Sequence, residues 1–393
     1  MPRTRVLFCS STMDGGGSER HLLYLLIGLD RKVFEPSLYL LRTTGQLLEQ
    51  IPSDCPVSDF WTGREPTKLN WPGRDYKLQI KHLAQHIRSH GIQVLYDRLF
   101  HMTMISGPAC LRARCARVST IVSPPQFDVE RTETRWRWIK RRYLAKAYAS
   151  SQALLSVSQG TAIASSKYYR IPSERFEVVM SPIDTKTIEV KASMPIEFPR
   201  WSNSVKNIVA IGRLGAEKGH SDLIEAFALL VQKRGKQFNL HIAGEGVLRE
   251  SLEGLIAQRN LSDCAFLHGY VSNPYPLLKQ ADLMVLPSLY EGLPNVMLEA
   301  MLCQCPVLAT NTEQGAGEYL RQYPLGDLVP IGSIPLMLER MENCFDQPDK
   351  WKARAAVAYH HVHEHQDHDR LIQRLSGILF SAAEKKLTRL AKQ

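Results

Sequence analysis

Residues 207–219 read NIVAIGRLGAEKG, an apolar run that passes into a basic turn flanked by glycines. The run 207–211 predicts a buried strand, and the periodic apolar residues at 219–233 predict the helix that follows. Arg213 and Lys218 stand on the turn between them, close enough in sequence to reach one diphosphate. The N-terminus of the helix adds backbone N–H donors and a partial positive charge. A solvated basic turn is the alternative interpretation.

The same strand–turn–helix alternation extends in both directions from this stretch. Such alternation predicts parallel βαβ units, here two doubly wound α/β domains in tandem facing a central cleft. Ligands of such sheets bind outside the carboxyl ends of the strands. A proline-containing stretch without periodicity at 181–204 suggests the linker. The predicted domains are 1–190 and 191–365, followed by a closing helical segment at 366–393.

A second motif, EGLPNVMLE, spans residues 291–299. Gly292 and Pro294 predict a tight turn, and Asn295 suits the start of a helix. Glu291 then lies on the loop and Glu299 lies about one turn into the helix. The two carboxylates are too far apart in the chain to share a proton, but they can hold two ends of an extended ligand. A solvent-facing helix residue is the alternative interpretation of Glu299.

Composition restricts the class of protein without choosing a function. Lys and Arg number 49 and Asp and Glu number 39, so the formal net charge of +10 favours an anionic partner. The eight cysteines form no CxxC pair, which is typical of a reduced protein inside the cell. A signal peptide and an apolar run long enough to span a membrane are both missing from the sequence, so we expect a cytoplasmic protein.

These motifs together resemble the retaining GT-B glycosyltransferases of glycosyltransferase family 4. The resemblance also covers DGGGSER (14–20), LLSVSQG (154–160), HIAGEG (241–246), FLHGYV (266–271) and ADLMVLPSLYEGLPNVMLEAM (281–301). It implies two Rossmann-like domains, a last helix that returns to the first domain, and a nucleotide-diphosphate sugar (UDP- or GDP-sugar) as the donor. It also implies transfer with retention of configuration, without a metal ion or cofactor.

The resemblance further implies roles for individual residues. Arg213 and Lys218 would neutralise the donor diphosphate, and Glu291 would lie near the transferred sugar. Glu299 would hold the ribose hydroxyls. The remaining donor-binding residues that it implies are Gly16, Gly17, Gly292, Leu293, Pro294 and Asn295.

The sequence departs from the family pattern after the strand that ends near Tyr96. Many members carry a histidine there, whereas this chain reads VLYDRLFHMTM at 94–104. Asp97, Arg98 and His101 are therefore the candidates for the acceptor-side contact. A histidine at a helix start is the alternative interpretation of His101.

The segment RWRWIKRRYLAK at 135–146 combines six cations and three aromatic residues with no acid. One interpretation is a helix on an anionic membrane surface, with Arg137, Lys140, Arg141 and Arg142 as its contacts. A partly buried helix with a solvated basic side is the other. The donor motifs argue against a nucleic-acid partner.

The sequence thus predicts a glycosyltransferase that acts on a glycan or lipid-linked acceptor in polysaccharide or glycolipid synthesis, at the inner face of the membrane. A catalytically silent protein that binds sugar nucleotides and a GT-B epimerase remain the alternatives.

Overall fold

The structure is a computed structural model of the chain, and it describes residues 3–64, 73–132, 136–196, 198, 200–366 and 368–391. The chain divides into two compact units. Unit 1 comprises residues 1–182 and 368–393, and unit 2 comprises residues 183–367. Both are α/β structures built on a parallel sheet.

Unit 1 is built on a parallel sheet with the strand order β3-β2-β1-β4-β5-β6-β7. The strands are β1 (Thr4–Ser10), β2 (Phe34–Leu40), β3 (Val57–Asp59), β4 (Val94–Arg98), β5 (Ala116–Ile121), β6 (Ala153–Ser156) and β7 (Phe176–Val178). The helices between them are α1 (Gly17–Gly28), α2 (Arg74–Ser89), α3 (Phe100–Ala113), α4 (Pro125–Thr132), α5 (Arg137–Ala149) and α6 (Gln159–Tyr169).

The inner strands of unit 1 read as almost continuous apolar runs because helices cover both faces of the sheet. Val6 and Phe8 of β1 pack on the face covered by α1, whereas Leu7 and Cys9 pack on the face covered by α2 and α3. Alternate residues of a strand point to opposite faces, so each strand supplies both cores.

Unit 2 repeats this plan with the strand order β10-β9-β8-β11-β12-β13. The strands are β8 (Lys206–Ile211), β9 (Phe238–Ala243), β10 (Ala265–Leu267), β11 (Leu283–Leu286), β12 (Val307–Thr310) and β13 (Asp327–Val329). The helices are α7 (Thr185–Ala192), α8 (His220–Arg234), α9 (Arg249–Gln258), α10 (Tyr275–Gln280), α11 (Asn295–Leu302), α12 (Ala316–Gln322), α13 (Ile334–Asp346) and α14 (Pro348–His365).

The last helix, α15 (His368–Ala391), belongs to unit 1 although it follows unit 2 in the chain. Ile372, Leu375 and Leu379 are buried in the same core as α1 and β1. The predicted two-domain α/β architecture with a returning last helix is therefore confirmed.

Two expected boundaries differ from the structure. Unit 2 begins at Ile183 rather than at 191, because α7 packs on α10 and α11 of that unit. The helix expected over the basic aromatic segment 135–146 begins only at Arg137, and a separate helix, α4, precedes it. Trp136, which precedes α5, has a left-handed backbone with φ of 63°, and a right-handed helix cannot continue through that conformation.

Candidate functional site

The basic loop 212–219 follows β8 and ends in a turn of 3-10 helix at Ala216–Lys218. Gly219 then takes φ of 64° before α8 begins. A Cβ atom at Gly219 would lie 2.1 Å from the carbonyl oxygen of Pro287, which belongs to the loop after β11. Glycine at this position therefore allows the two loops to pack against each other.

The second loop, 287–294, lies beside the first because β8 and β11 are neighbours in the sheet. The strand order reverses direction at this pair, so it is the topological switch point, where ligands of doubly wound sheets bind. The amide of Leu289 donates to the carbonyl oxygen of Glu217 at 2.8 Å and ties the loops together. Helix α11 starts at Asn295, as the sequence predicted.

Lys218 and Glu291 form an ion pair across the two loops. Ser288 Oγ donates a second hydrogen bond to the same Glu291 oxygen at 2.9 Å. The Lys218 and Glu291 side chains are only 19% and 14% exposed. The Lys218 ammonium is therefore held at the switch point by the Glu291 carboxylate. A phosphate at the switch point could accept a further hydrogen bond from the same ammonium.

Arg213, the other predicted cation, is bound differently from Lys218. Its guanidinium donates to Glu217 Oε1 at 2.7 and 3.1 Å, and its side chain is 74% exposed. Partial burial would raise the pKa of Glu217, but backbone hydrogen bonding and Arg213 together keep it below its ordinary value. Glu217 is thus an ionised partner of Arg213 that sequence reasoning missed.

Glu299 is 7% exposed and lies about one turn into α11, which packs against α10 and α14. Its carboxylate is close enough to Cys303 to be the second cause, after burial, of a raised thiol pKa of about 12. Gly292 and Pro294 are also buried, whereas Leu293 and Asn295 are partly exposed. The solvent-facing interpretation of Glu299 is therefore wrong.

His220, the first residue of α8, was not singled out by the sequence. It is 4% exposed, and neither ring nitrogen has a well-formed hydrogen bond within the described residues. Burial, followed by the charge of Lys218, lowers its pKa to about 4. A neutral imidazole therefore lies under the loop that carries the cations.

In unit 1, α1 begins at Gly17 with Gly16 as its N-cap, and no side chain caps this end. Gly16 and Gly17 are both exposed. A Cβ atom at Gly16 would lie 2.6 Å from the carboxylate of Glu19. The Glu19 carboxylate therefore lies against the start of α1, and a side chain at position 16 would displace it.

Asp97 is not available as an acceptor-side contact, which corrects the prediction. Its side chain is fully buried and ion-paired with Arg117 at 3.2 Å. It also accepts hydrogen bonds from Thr103, Ser106 and Ser119 at 2.6–3.1 Å. All of its acceptor capacity is used inside the unit.

Arg98 and His101 lie in contrasting surroundings. Arg98 ends β4 and is 4% exposed, next to the hydroxyls of Tyr96 and Ser181. His101 is exposed on α3, and its ring packs at a tilt of 35° against the ring of Phe100. Partial burial of its ring and the nearby Lys140 lower the pKa of His101.

The basic aromatic segment forms α5 from Arg137 onward. Trp136 precedes the helix, and Arg135 lies outside the described residues. Lys140 and Arg141 are partly exposed, and Arg141 donates to the carbonyl oxygen of Tyr168 at 2.7 Å. Arg137 and Arg142 are exposed. Trp138 is 66% exposed and Lys146 is exposed too, so Trp138, Arg142 and Lys146 form a row at four-residue spacing, called here the outer face of α5.

Two kinds of feature are absent from the residues that the structure describes. No helix there is both long enough and apolar enough to cross a bilayer. No three metal-binding side chains of the described residues stand together in a way that could hold a metal ion.

Models of two glycosyltransferase families match successive parts of the chain. Glycosyltransferase Family 4 matches residues 15–187, and Glycosyl transferases group 1 matches residues 197–360. The first match falls mainly on unit 1 and the second falls on unit 2.

Curated relatives carry glycosyltransferase names. One is N-acetylgalactosamine-N,N'-diacetylbacillosaminyl-diphospho-undecaprenol 4-alpha-N-acetylgalactosaminyltransferase of Campylobacter jejuni, 28% identical over 55% of this chain and 56% of that protein. Another is alpha-D-kanosaminyltransferase of Streptomyces kanamyceticus, 29% identical over 72% of this chain and 73% of that protein. The match thus spans little more than half the length of the first relative.

Solved structures share the fold at low sequence identity. Anabaena Alr3699/HepE in complex with UDP-glucose is 19% identical, with a TM-score of 0.78, covering 96% of this chain and 100% of that one. WaaG, a glycosyltransferase involved in lipopolysaccharide biosynthesis, is 18% identical, with a TM-score of 0.72, covering 95% and 99%. These likenesses establish a GT-B-type fold.

Proposed function

The chain belongs to the glycosyltransferases of family 4 and group 1, and we propose that it moves a sugar from a nucleotide-diphosphate donor to a glycan or lipid-linked acceptor with retention of configuration. The observation that carries this proposal is the switch point of unit 2. There Lys218 and Glu291 form an ion pair across two adjoining loops, with Arg213 on the first loop.

The donor diphosphate is the group that these cations suit best. As the sugar–oxygen bond breaks, negative charge grows on the departing nucleoside diphosphate, and fixed cations stabilise that charge. Lys218 acts as a point charge, whereas Arg213 can bind two phosphate oxygens at once. Together they supply positive charge that a divalent cation supplies in other transferases.

The two carboxylates receive different tasks in this proposal. Glu299, buried on α11, accepts hydrogen bonds from the two ribose hydroxyls. Glu291, already bonded to Lys218 and Ser288, accepts from a hydroxyl of the transferred sugar. The backbone amides at the start of α11 bind phosphate oxygen.

Retention follows if the acceptor oxygen attacks the anomeric carbon from the side that the diphosphate leaves. The carbon–oxygen bond to the donor phosphate breaks and a new one forms to the acceptor. The acceptor proton passes to an oxygen of the departing diphosphate, so no protein base is needed. Among relatives and neighbours, one is named for an undecaprenol-linked acceptor and one has been solved with UDP-glucose, which favours UDP-sugars and lipid-linked acceptors.

Thermal stabilisation by UDP, GDP and their sugar conjugates tests the donor. A ligand of the folded state raises the melting temperature by mass action. We expect one nucleotide series to stabilise the unmutated protein, and we expect Glu299→Ala to lose that effect. Glu225→Ala is the matched control, because Glu225 lies on α8 and pairs with Arg259. No stabilisation by any nucleotide would contradict the proposal.

The outer face of α5 is the proposed membrane contact. Trp138 would enter the interface while Arg142 and Lys146 meet anionic headgroups, each cation contributing about 1 kcal/mol. We expect co-sedimentation with vesicles of phosphatidylglycerol and phosphatidylethanolamine, lost when Arg142 and Lys146 are both changed to Glu. The control is Lys350→Glu with Lys352→Glu, both exposed at the start of α14. Absence of binding by the unmutated protein would exclude this contact.

A further inference from the structure

Two arginines are buried in unit 1, and they differ in their counterions. Arg117 is 1% exposed and pairs with Asp97 at 3.2 Å. Arg98 is 4% exposed and pairs with no carboxylate of the described residues. Burying a charge without a partner is costly, because the lost hydration is not replaced.

Asp97 cannot serve Arg98 although the two are adjacent in sequence. Successive residues of a strand point to opposite faces of the sheet. Asp97 bonds to Thr103 and Ser106 of α3 on one face. Arg98 shares the other face with Tyr96, whose hydroxyl lies 3.0 Å from His21 of α1.

The guanidinium of Arg98 is held loosely by hydroxyl groups. Nη1 donates to the Tyr96 hydroxyl at 3.3 Å and Nη2 donates to Ser181 Oγ at 3.4 Å, both beyond the usual 2.7–3.2 Å. Nε is buried and has no partner among the described residues. A buried donor without an acceptor is one of the more expensive defects in a folded protein.

The groups around Arg98 do not neutralise it. Burial, then the charges of Arg98 and His368, hold the pKa of His21 well below its ordinary value, so this imidazole is neutral near pH 7. Thr120 completes the set and donates to the Tyr96 hydroxyl at 2.9 Å. The cluster of Arg98, Tyr96, His21, Thr120 and Ser181 thus carries a net positive charge in a buried place.

This cluster lies where a ligand would be expected. Arg98 is the last residue of β4, which lies between β1 and β5 in the sheet. The order of the strands reverses at β1 and β4, so this pair is the switch point of unit 1. The loop after β1 leads to the N-terminus of α1, where Gly16 is the N-cap and where His21 lies in the first turns of the helix.

We propose that Arg98 binds an oxyanion, a carboxylate or a phosphate group, of the substrate held by unit 1. The anion accepts from the guanidinium in place of the two long contacts, and Ser181 and Tyr96 supply hydroxyls beside it. This inference rests on the proposed function and deepens it, since it restricts a substrate to an acidic sugar or a phosphate-linked compound.

The first test compares Arg98→Met with Arg117→Met in the absence of ligand. A buried cation without a bound anion contributes nothing to the stability of the ligand-free protein. We therefore expect Arg98→Met to leave the melting temperature unchanged or to raise it. Arg117→Met should lower it, because Asp97 would remain buried and unpaired. A loss at Arg98→Met as large as that at Arg117→Met would make Arg98 a structural residue and overturn the proposal.

The second test measures stabilisation by inorganic phosphate and by D-glucuronate, at constant ionic strength, with chloride and D-glucose as controls. We expect a rise of about 2–4 °C with one of the two anions, lost in Arg98→Met and reduced in Ser181→Ala. Arg112→Met, exposed on α3, is the matched control. If phosphate alone raises the melting temperature, the substrate is phosphate-linked. If glucuronate raises it, the substrate is an acidic sugar.

An equal response of the unmutated protein and Arg98→Met, or no response to either anion, would overturn the proposal. Its failure is distinct from failure of the proposed function, which is measured by nucleotide binding at Glu299. If the protein binds UDP but neither anion, the proposed glycosyltransferase function stands and the proposed oxyanion site at Arg98 is wrong.

Discussion

The switch point of unit 2 and the switch point of unit 1 occupy the same position in two sheets of the same strand order, but their charges differ. In unit 2 a cation, Lys218, is joined to a carboxylate, Glu291. In unit 1 a cation, Arg98, meets only hydroxyls. Each lies near a buried histidine, at 220 and 21, on the helix that follows the first strand of its unit.

The difference shows that a buried cation can have either of two roles in this fold, depending on whether it is paired with a carboxylate. A paired cation is stable in the empty protein and can exchange part of its bonding to a phosphate. An unpaired buried cation lowers the stability of the folded protein until an anion binds to it. Structural and ligand-binding cations can therefore be separated by measuring what happens when each is removed.

The largest effect should come from the Asp97–Arg117 pair, which is the structural reference for this comparison. Arg117→Met leaves the Asp97 carboxylate buried, so we expect a loss of about 3–5 kcal/mol in the free energy of unfolding. Urea denaturation of unit 1 measures it. The double variant that also carries Asp97→Asn should recover part of the lost stability. If Arg117→Met is as stable as the unmutated protein, the Asp97–Arg117 pair cannot serve as the structural reference.

Gly219→Ala should have the next largest effect, because it disturbs the loop contact at the switch point of unit 2. Its φ of 64° and the 2.1 Å approach to Pro287 together predict a cost of about 2–4 kcal/mol. Gly73→Ala is the control, since Gly73 has the same left-handed backbone (φ of 88°, ψ of 1°) with nothing within 4 Å of the added Cβ atom, and it should cost about 1–2 kcal/mol. Equal losses in the two variants would mean that the loops do not need this close approach.

The smallest effect concerns the neutral histidine under Lys218. Its folded pKa of about 4 lies below the 6.5 of the unfolded chain, so the unfolded chain binds the proton first as the pH falls. His220 therefore contributes to the loss of stability between about pH 6.5 and 4, by about 1 kcal/mol at pH 5.5 and about 3 kcal/mol at pH 4.

His220→Phe keeps a buried ring and removes the titration, so the stability of this variant should depend less on pH in that range. His360→Phe, at an exposed position of α14, is the control for replacing a histidine by an apolar ring. Chemical denaturation at a series of pH values measures both. Parallel profiles for His220→Phe and the unmutated protein would contradict the buried neutral form.

The sequence predicted the alternation of strands and helices and the two basic and acidic loops, because periodicity and glycine–proline turns are local signals. It missed the pairing of Lys218 with Glu291, whose partners are 73 residues apart and meet only because β8 and β11 are neighbours. It also placed Asp97 among the ligand contacts, since nothing near it in the chain reveals Arg117 as its partner. Which cations of α5 face outward depends likewise on packing, as Arg141 shows.

The central claim is that Lys218 and Arg213 bind the diphosphate of the donor nucleotide. Calorimetric titration of the preferred nucleoside diphosphate and the matching monophosphate, on unmutated protein and Lys218→Met, tests this directly. Lys236→Met, which removes an exposed cation of unit 2, is the control. We expect the diphosphate to bind at least about tenfold more tightly, a difference of about 1.4 kcal/mol that Lys218→Met largely abolishes while affinity for the monophosphate is kept. An unchanged ratio in Lys218→Met would contradict the account.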